Sequence, residues 1–325
     1  MAAGKPKVLA TRLFPEAVET RLSANFDAVL NPEDTNYDGA ALAKLTEGCA
    51  GIMCAAGDPM NADTIGKLPA SVKIISTFSV GYEHIDVSAA AKRGIKVTNT
   101  PDVLTDATAD ITMLCLLGAS RRAHEGTTML RTHSWVGWTP RQLMGVHVTG
   151  KRLGILGMGR IGQAVADRAR AFRMTIHYSN RNRLPPDLEK GAIFHADADD
   201  MLQHCDFLSI NAPMTPQTRK WVNAERLARL PKGAVVVKTA RGAVVDDEAL
   251  ISALKSGKLA AAGIDVFDGE PKIHQGYYGL ENAFLLPHMG SATVETRNAM
   301  GFKALDNLEA FLLRNETPPD LVKAS

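Results

Sequence analysis

The chain reads as an α/β protein of two doubly wound, parallel-sheet domains. Three observations predict this class. Its 325 residues exceed what one domain usually needs. Short β-branched runs alternate with helical patterns over most of its length. At Gly154 a strand, a glycine-rich turn and a helix follow one another directly. Composition fits a globular protein: apolar residues make up 45%, charged residues 22%, and the formal net charge is +2. So small a charge argues against a chain built mainly to coat nucleic acid or an anionic membrane, so small partners are expected.

The elements follow in order. "KVLAT", "GIMCAA", "VKIISTFS" and "IKVTN" read as strands, with "PEAVETRLSANF" and "HIDVSAAAKRG" as helices between them. A proline in "NTPDVL" precedes a long helical pattern from about Asp106 to Arg131, with apolar spacing through Ile111, Leu114, Cys115 and Gly118. That helix is expected to connect the domains. After the loop-rich "GWTPRQLMGVHVTGK" the alternation restarts with "RLGILG", "MTIHYS", "FLSINAP", "GAVVVKTA" and "LAAAGIDVF". The closing amphipathic stretch "NAMGFKALDNLEAFLLR" can return to the first domain. The expected organisation is therefore a discontinuous domain, 1–100 plus 289–325, into which a second domain, 101–288, is inserted.

Four cysteines, Cys49, Cys54, Cys115 and Cys205, show neither CxxC spacing nor a histidine cluster nearby, and read as reduced, buried thiols rather than metal ligands. No metal is expected. "MAAGKPKVLATRLFPEA" lacks the apolar run of a signal peptide, and runs such as "ITMLCLLGA" are too short to span a bilayer. The expectation is a cytoplasmic protein without a membrane partner.

Gly157, Gly159 and Gly162 form G-x-G-x-x-G between the strand "RLGIL" and a helix. In that context Gly157 permits the tight turn, Gly159 lets the backbone approach a pyrophosphate, and Gly162 allows close helix packing. Free N–H groups and the helix dipole then face the phosphates. The inserted domain is thus expected to be a Rossmann coenzyme domain, and the other a flavodoxin-like substrate domain. Such folds usually carry an acidic residue at the end of the second strand for the adenosine ribose. Here "RMTIHYS" runs into Ser179, Asn180, Arg181, Asn182 and Arg183, none of them acidic. A 2′-phosphate accepts charge-assisted hydrogen bonds from arginine forks and from Ser or Asn, so NADPH is preferred over NADH in this reading. The alternative for Arg181 and Arg183 is solvated loop charge.

Three further residues, Arg241 in "KTARGAVVD", Glu270 in "GIDVFDGEP" and His288 in "LLPHMGSAT", each follow a strand-like or apolar run. All can converge at the crevice beyond the carboxyl ends of a doubly wound sheet. Arginine can pair with a substrate carboxylate, histidine can exchange a proton near neutral pH, and glutamate can orient and charge-stabilise the imidazole. Taken singly, each also reads as a surface charge or a loop histidine.

Together, "LGILGMGRIG", "TARGAVVD", "GIDVFDGEP" and "PHMGSAT" resemble the D-isomer-specific 2-hydroxyacid dehydrogenase family over nearly the whole chain. Within it, "SVGYEHID", "ADITMLCLLGASRRAHEG", "SWVGWTP" and "NAPMTPQTR" are most similar to the glyoxylate/hydroxypyruvate reductase branch. The resemblance implies a catalytic set of Arg241, Glu270 and His288. It implies backbone contacts from Val80 and Gly81 to the substrate carboxylate, and a homodimer in which Trp138 reaches the partner's cleft. Gly81 alone would read as a turn, and Trp138 as interdomain packing. Asp265 resembles the residue that bonds the nicotinamide carboxamide. With the glycines and the "SNRNR" residues, the expected coenzyme contacts also include Arg160, Ile161, Pro213, Thr239 and Gly290. Two departures stand out: Lys238 occupies a position where many members carry Asn, and the ribose-binding acid is absent. The implied reaction is NADPH-dependent reduction of glyoxylate or hydroxypyruvate to glycolate or D-glycerate. The alternatives are another 2-oxoacid such as 2-ketogluconate, or a nicotinamide-sensing, corepressor-like binding protein.

Overall fold

The computed structural model describes residues 4–323. They form two compact units: everything up to Leu104 and from Ala292 onward, and the insert Thr105–Ser291. These divisions fall a few residues beyond the expected 100/101 and 288/289.

The first unit runs β1 (Lys7–Ala10), α1 (Glu16–Asn25), β2 (Asp27–Val29), α2 (Gly39–Leu45), β3 (Gly51–Cys54), α3 (Ala62–Lys67), β4 (Ile74–Thr77), α4 (Val87–Lys92) and β5 (Lys96–Thr98). Its five parallel strands lie in the order β2-β1-β3-β4-β5, the flavodoxin-like arrangement. Asp38, Asn61 and Asp86 start α2, α3 and α4 by accepting hydrogen bonds from Ala41, Thr64 and Ala89 N–H. The strands read as unbroken apolar runs because both faces are covered: Leu9, Ile52 and Ile75 enter one core, Val8, Met53 and Ile74 the other. The helix Val294–Leu312 closes the second core through Met300, Ala304, Leu305 and Leu308. Its Gly301 admits no side chain, since a Cβ there would lie 2.3 Å from Val18. The three-residue β2 and the short α2 and α3 escape the sequence patterns.

The insert comprises α5 (Thr105–Ser120), α6 (Ala123–Arg131), β6 (Arg152–Leu156), α7 (Arg160–Ala171), β7 (Thr175–Ser179), α8 (Pro186–Glu189), β8 (Ile193–Phe194), α9 (Ala198–Leu202), β9 (Phe207–Ile210), α10 (Ala224–Arg229), β10 (Ala234–Lys238), α11 (Asp247–Lys255), β11 (Leu259–Ile264) and β12 (Ala283–Leu285). Its seven parallel strands are ordered β12-β11-β10-β9-β6-β7-β8, the Rossmann order, with the direction of progression reversing between β6 and β9. Leu153, Ile155, Val235 and Val237 face one core, Leu208, Ile210, Val236 and Ile264 the other.

The single helix expected from Asp106 to Arg131 is two. Arg122 adopts a left-handed backbone, φ 53°, and its guanidinium closes onto Glu125. Ser120 carbonyl accepts from Val146 N–H at 2.8 Å instead of continuing the helical ladder. Apolar spacing persists across this break, so periodicity does not reveal it. All four cysteines are buried thiols. Among the described residues, no helix is long and apolar enough to cross a membrane.

Candidate active site

The glycine turn joins β6 to α7 where the strand order reverses. Gly157 has φ +90°, and a Cβ there would stand 2.7 Å from the Ala212 backbone, so both conformation and space demand glycine. At Gly162 a Cβ would lie 2.5 Å from the Gly157 carbonyl, which sets the close start of α7. Gly159, the residue preceding α7, differs: a Cβ would meet nothing within 4 Å among the described residues. Backbone is therefore accessible at the positive end of the helix dipole, beside Arg160 and Ile161, which open α7.

The end of β7 is tied to this turn. Ser179 carbonyl accepts from Gly157 N–H at 3.0 Å, and Asn180 Oδ1 accepts from Met158 N–H at 2.6 Å. The two arginines that follow are not equivalent. Arg181 is exposed. Arg183 points its fork at Glu189, with Nε and Nη2 2.8 and 3.0 Å from the two carboxylate oxygens, and Tyr178 hydroxyl donates to the same carboxylate. The expectation treated these arginines almost alike; the buried Glu189 occupies one of them.

Strand ends β10, β11 and β12 present the second constellation. Arg241 lies three residues past β10 and leads into a 3-10 turn, Gly242–Val244; one guanidinium nitrogen donates to Ala240 carbonyl at 2.8 Å. Glu270 lies in the turn after β11. One carboxylate oxygen accepts from Phe267 N–H at 2.6 Å, and the other accepts from His288 Nδ1 at 2.7 Å. His288 follows β12 with its own N–H donated to Asp265 carbonyl at 2.9 Å. Its backbone is left-handed, φ 54°, a strained conformation for a non-glycine residue and one that recurs at functional positions. Its side chain is 49% exposed, so with Nδ1 committed to Glu270, Nε2 is the nitrogen left for a ligand.

Electrostatics couples these groups. The Glu270 hydrogen bond outweighs burial and lifts the His288 imidazole above its ordinary range; the charges of Glu270 and Asp265 add to this, and Arg241 opposes it. Burial alone would raise Glu270, but His288, the Phe267 N–H and the Arg241 charge together hold it below the usual carboxylate range. The pair thus favours imidazolium facing carboxylate. Asp265 is wholly buried, and burial raises its carboxyl. One oxygen accepts from Met289 N–H at 2.7 Å, while the other has no hydrogen-bond partner among the described residues. Gly290 lies against that second oxygen, and its carbonyl accepts from Thr108 hydroxyl at 3.2 Å. Thr239 and Thr112 share a buried hydroxyl hydrogen bond of 2.8 Å. Pro213 is exposed, its carbonyl accepting from Thr218.

A further residue escaped the sequence reading. Asn211, just beyond β9 and against the Gly157 turn, accepts from Ser209 hydroxyl, and its amide nitrogen is buried without a partner among the described residues. An asparagine after a strand reads as turn chemistry, so only placement reveals it. Unpartnered buried polar atoms on Asp265 and Asn211, with open backbone at Gly159, fit a bound dinucleotide that would satisfy them. Val80 and Gly81 belong to the first unit, after β4, where their carbonyls accept from Asn99 and Ser79. Trp138 is 78% exposed, in a loop with Trp135 and Val136 that also stand out from the insert.

Residues 113–290 match the model of the D-isomer specific 2-hydroxyacid dehydrogenase, NAD binding domain. The chain is 43% identical to the glycerate dehydrogenase of Hyphomicrobium methylovorum over 94% of its own length and 96% of that relative's. A Polaromonas structure described in terms of the same family superposes with a TM-score of 0.94 at 45% identity, covering 99% of this chain and 100% of the other. An NADPH-dependent glyoxylate/hydroxypyruvate reductase of Sinorhizobium meliloti, in complex with NADP and malonate, gives 0.87 at 34% identity, covering 99% and 100%. The chain belongs to the D-isomer specific 2-hydroxyacid dehydrogenase family, in its glyoxylate/hydroxypyruvate reductase branch, and is an NAD(P)-dependent oxidoreductase.

Proposed function

We propose that the protein reduces glyoxylate or hydroxypyruvate to glycolate or D-glycerate, with NADPH preferred over NADH. The observation that carries this reading is the His288–Glu270 pair at 2.7 Å, with the Arg241 charge acting on both members. When bound, the reduced nicotinamide supplies the hydride for the keto carbon. Arg241 pairs with the substrate carboxylate and polarises the keto oxygen. Imidazolium at His288 donates its Nε2 proton to the oxygen as negative charge develops there, while Glu270 keeps the Nδ1 proton and stabilises the charged ring. Asp265 uses its unpartnered oxygen to fix the nicotinamide end, and the glycine turn, with the unpartnered Asn211 amide beside it, holds the pyrophosphate.

Preference for NADPH is supported by the absence of an acid at the end of β7 and by exposed Arg181 there. Ser179 and Asn180 complete the set, with Arg183 secondary because Glu189 holds it. Val80 and Gly81 are assigned to the substrate carboxylate from the family resemblance. Exposed Trp135, Val136 and Trp138 support a homodimer that buries this loop, Trp138 entering the partner's cleft. The test is His288→Ala. Turnover of hydroxypyruvate should fall about 10²–10⁴-fold, the usual worth of general acid catalysis, while NADPH affinity, read by fluorescence titration, stays near wild type. Turnover within a few-fold of wild type would remove His288 from the proton transfer.

A further inference from the structure

Lys238, the last residue of β10, is completely buried, which for a lysine demands compensation. Its Nζ lies 2.9 Å from Asp247 Oδ1, and Tyr277 hydroxyl donates to the same oxygen at 2.6 Å. The rings of Phe267 and Tyr277 both stand 5.5 Å from Nζ and meet each other edge to face at 71°. The amine thus has one carboxylate and two aromatic faces around it. This pocket lies behind the turn that carries Glu270. Lys238 carbonyl accepts from Asp265 N–H at 3.0 Å, so the strand pairing leads straight into that turn. On its other side the turn abuts Gly242, where a Cβ would stand 1.9 Å from the Phe267 carbonyl carbon. Phe267 contributes twice: its ring covers the amine, and its N–H holds one Glu270 oxygen at 2.6 Å.

We propose that Lys238 is a positioning residue: its ion pair with Asp247, braced by the Tyr277 hydroxyl on that carboxylate and capped by the Phe267 ring, fixes the Phe267–Glu270 turn and so holds the Glu270 carboxylate on His288. The proposal rests on the acid/base reading of that pair given above. Asp247, Asp268 and Glu270 are the charges that act on the amine; burial pulls it below the ordinary lysine range against all three. Asp265, Arg241 and Glu270 are those that act on His288. Without Lys238 the Phe267 ring loses what it rests on, the Phe267 N–H moves, and Glu270 no longer lifts the imidazole fully.

The experiment is the pH profile of kcat/KM for 2-oxoacid reduction in wild type, Lys238→Met, Phe267→Leu and His288→Asn. Reduction needs protonated His288, so kcat/KM falls on the alkaline side. In Lys238→Met that limb should move to lower pH by at least about half a unit, about a threefold loss on the alkaline side, with KM for NADPH unchanged. An unshifted limb with lowered thermal stability would make Lys238 merely structural and overturn the proposal. Should Lys238→Met fail to fold, Phe267→Leu decides, because it keeps the ion pair but removes the ring: a limb shifted downward supports the coupling, an unshifted one refutes it. A limb that persists unchanged in His288→Asn would overturn the acid/base reading itself and this proposal with it, an outcome distinct from a wild-type profile in Lys238→Met alone.

Discussion

Replacing Glu270 by Gln removes a charge but keeps the size and one acceptor oxygen. In the native protein the carboxylate stands 2.7 Å from His288 Nδ1, and the resulting hydrogen bond and charge raise the imidazole above its ordinary range. A raised histidine is protonated to higher pH, so under the proposed mechanism, in which reduction consumes the His288 proton, activity should persist until pH passes through that raised value. The size of the change follows from geometry. With both charges delocalised, their effective separation is about 4 Å, worth about 1 kcal/mol in bulk water and about 4 kcal/mol at a typical protein-surface dielectric. The His288 side chain is 49% exposed, so the screened end applies, about 1–2 kcal/mol, or about one pH unit. Glu270→Gln should therefore move the alkaline limb of kcat/KM for reduction down by about one unit. Oxidation of the 2-hydroxyacid, which needs neutral His288, should extend to correspondingly lower pH. Steady-state rates over pH 5–10 (an order-of-magnitude window around the histidine range) provide the assay. A limb that does not move would mean that Glu270 does not set the protonation of His288.

Two further outcomes follow from features outside that pair. Arg181→Ala should raise KM for NADPH about tenfold, the worth of one charge-assisted hydrogen bond, with NADH unaffected; Arg183→Ala should do less, because its fork is closed on Glu189. Equal losses for both coenzymes would dissociate the loop from the 2′-phosphate. His177, hydrogen-bonded to His195 and stacked on His204, is pulled down to about 4 by burial first and then by the charges of its two neighbours and Arg152, with Asp206 opposing. A histidine depressed on folding stabilises fully above its unfolded value and loses that contribution as pH falls towards the folded one. Stability should thus decline from about pH 6.5 towards 4, and His177→Gln should flatten the decline by about one proton's worth of slope. Urea midpoints at pH 7 and 5 measure it, and parallel declines in both proteins would contradict the assignment.

What could be read from the sequence was what depends on near neighbours. The glycine turn was legible because strand, glycines and helix are contiguous; Gly157 and Gly162 each answer a contact a Cβ would violate, while Gly159 leaves the backbone open. Buried strands such as Ala234–Lys238 were legible as β-branched runs. Arg241, Glu270 and His288 were each visible as a polar residue after a strand, but their convergence depends on β10, β11 and β12 lying side by side. The Arg183–Glu189 fork was hidden because it spans a four-residue helix whose glutamate is buried. The break at Arg122 was hidden because a left-handed arginine leaves no compositional mark. Lys238 was visible as a departure from the family pattern, but its surroundings come from Asp247, across the next turn, and from Phe267 and Tyr277, farther along the chain.

The central claim is that this chain is a working reductase of small 2-oxoacids that draws on NADPH. It is tested most directly by following NADPH and NADH oxidation at 340 nm, roughly the nicotinamide absorbance band, with glyoxylate, hydroxypyruvate, pyruvate and 2-ketogluconate as substrates. The account predicts rapid oxidation with glyoxylate or hydroxypyruvate and a higher kcat/KM with NADPH than with NADH. Tight NADPH binding with negligible turnover on every 2-oxoacid would contradict it.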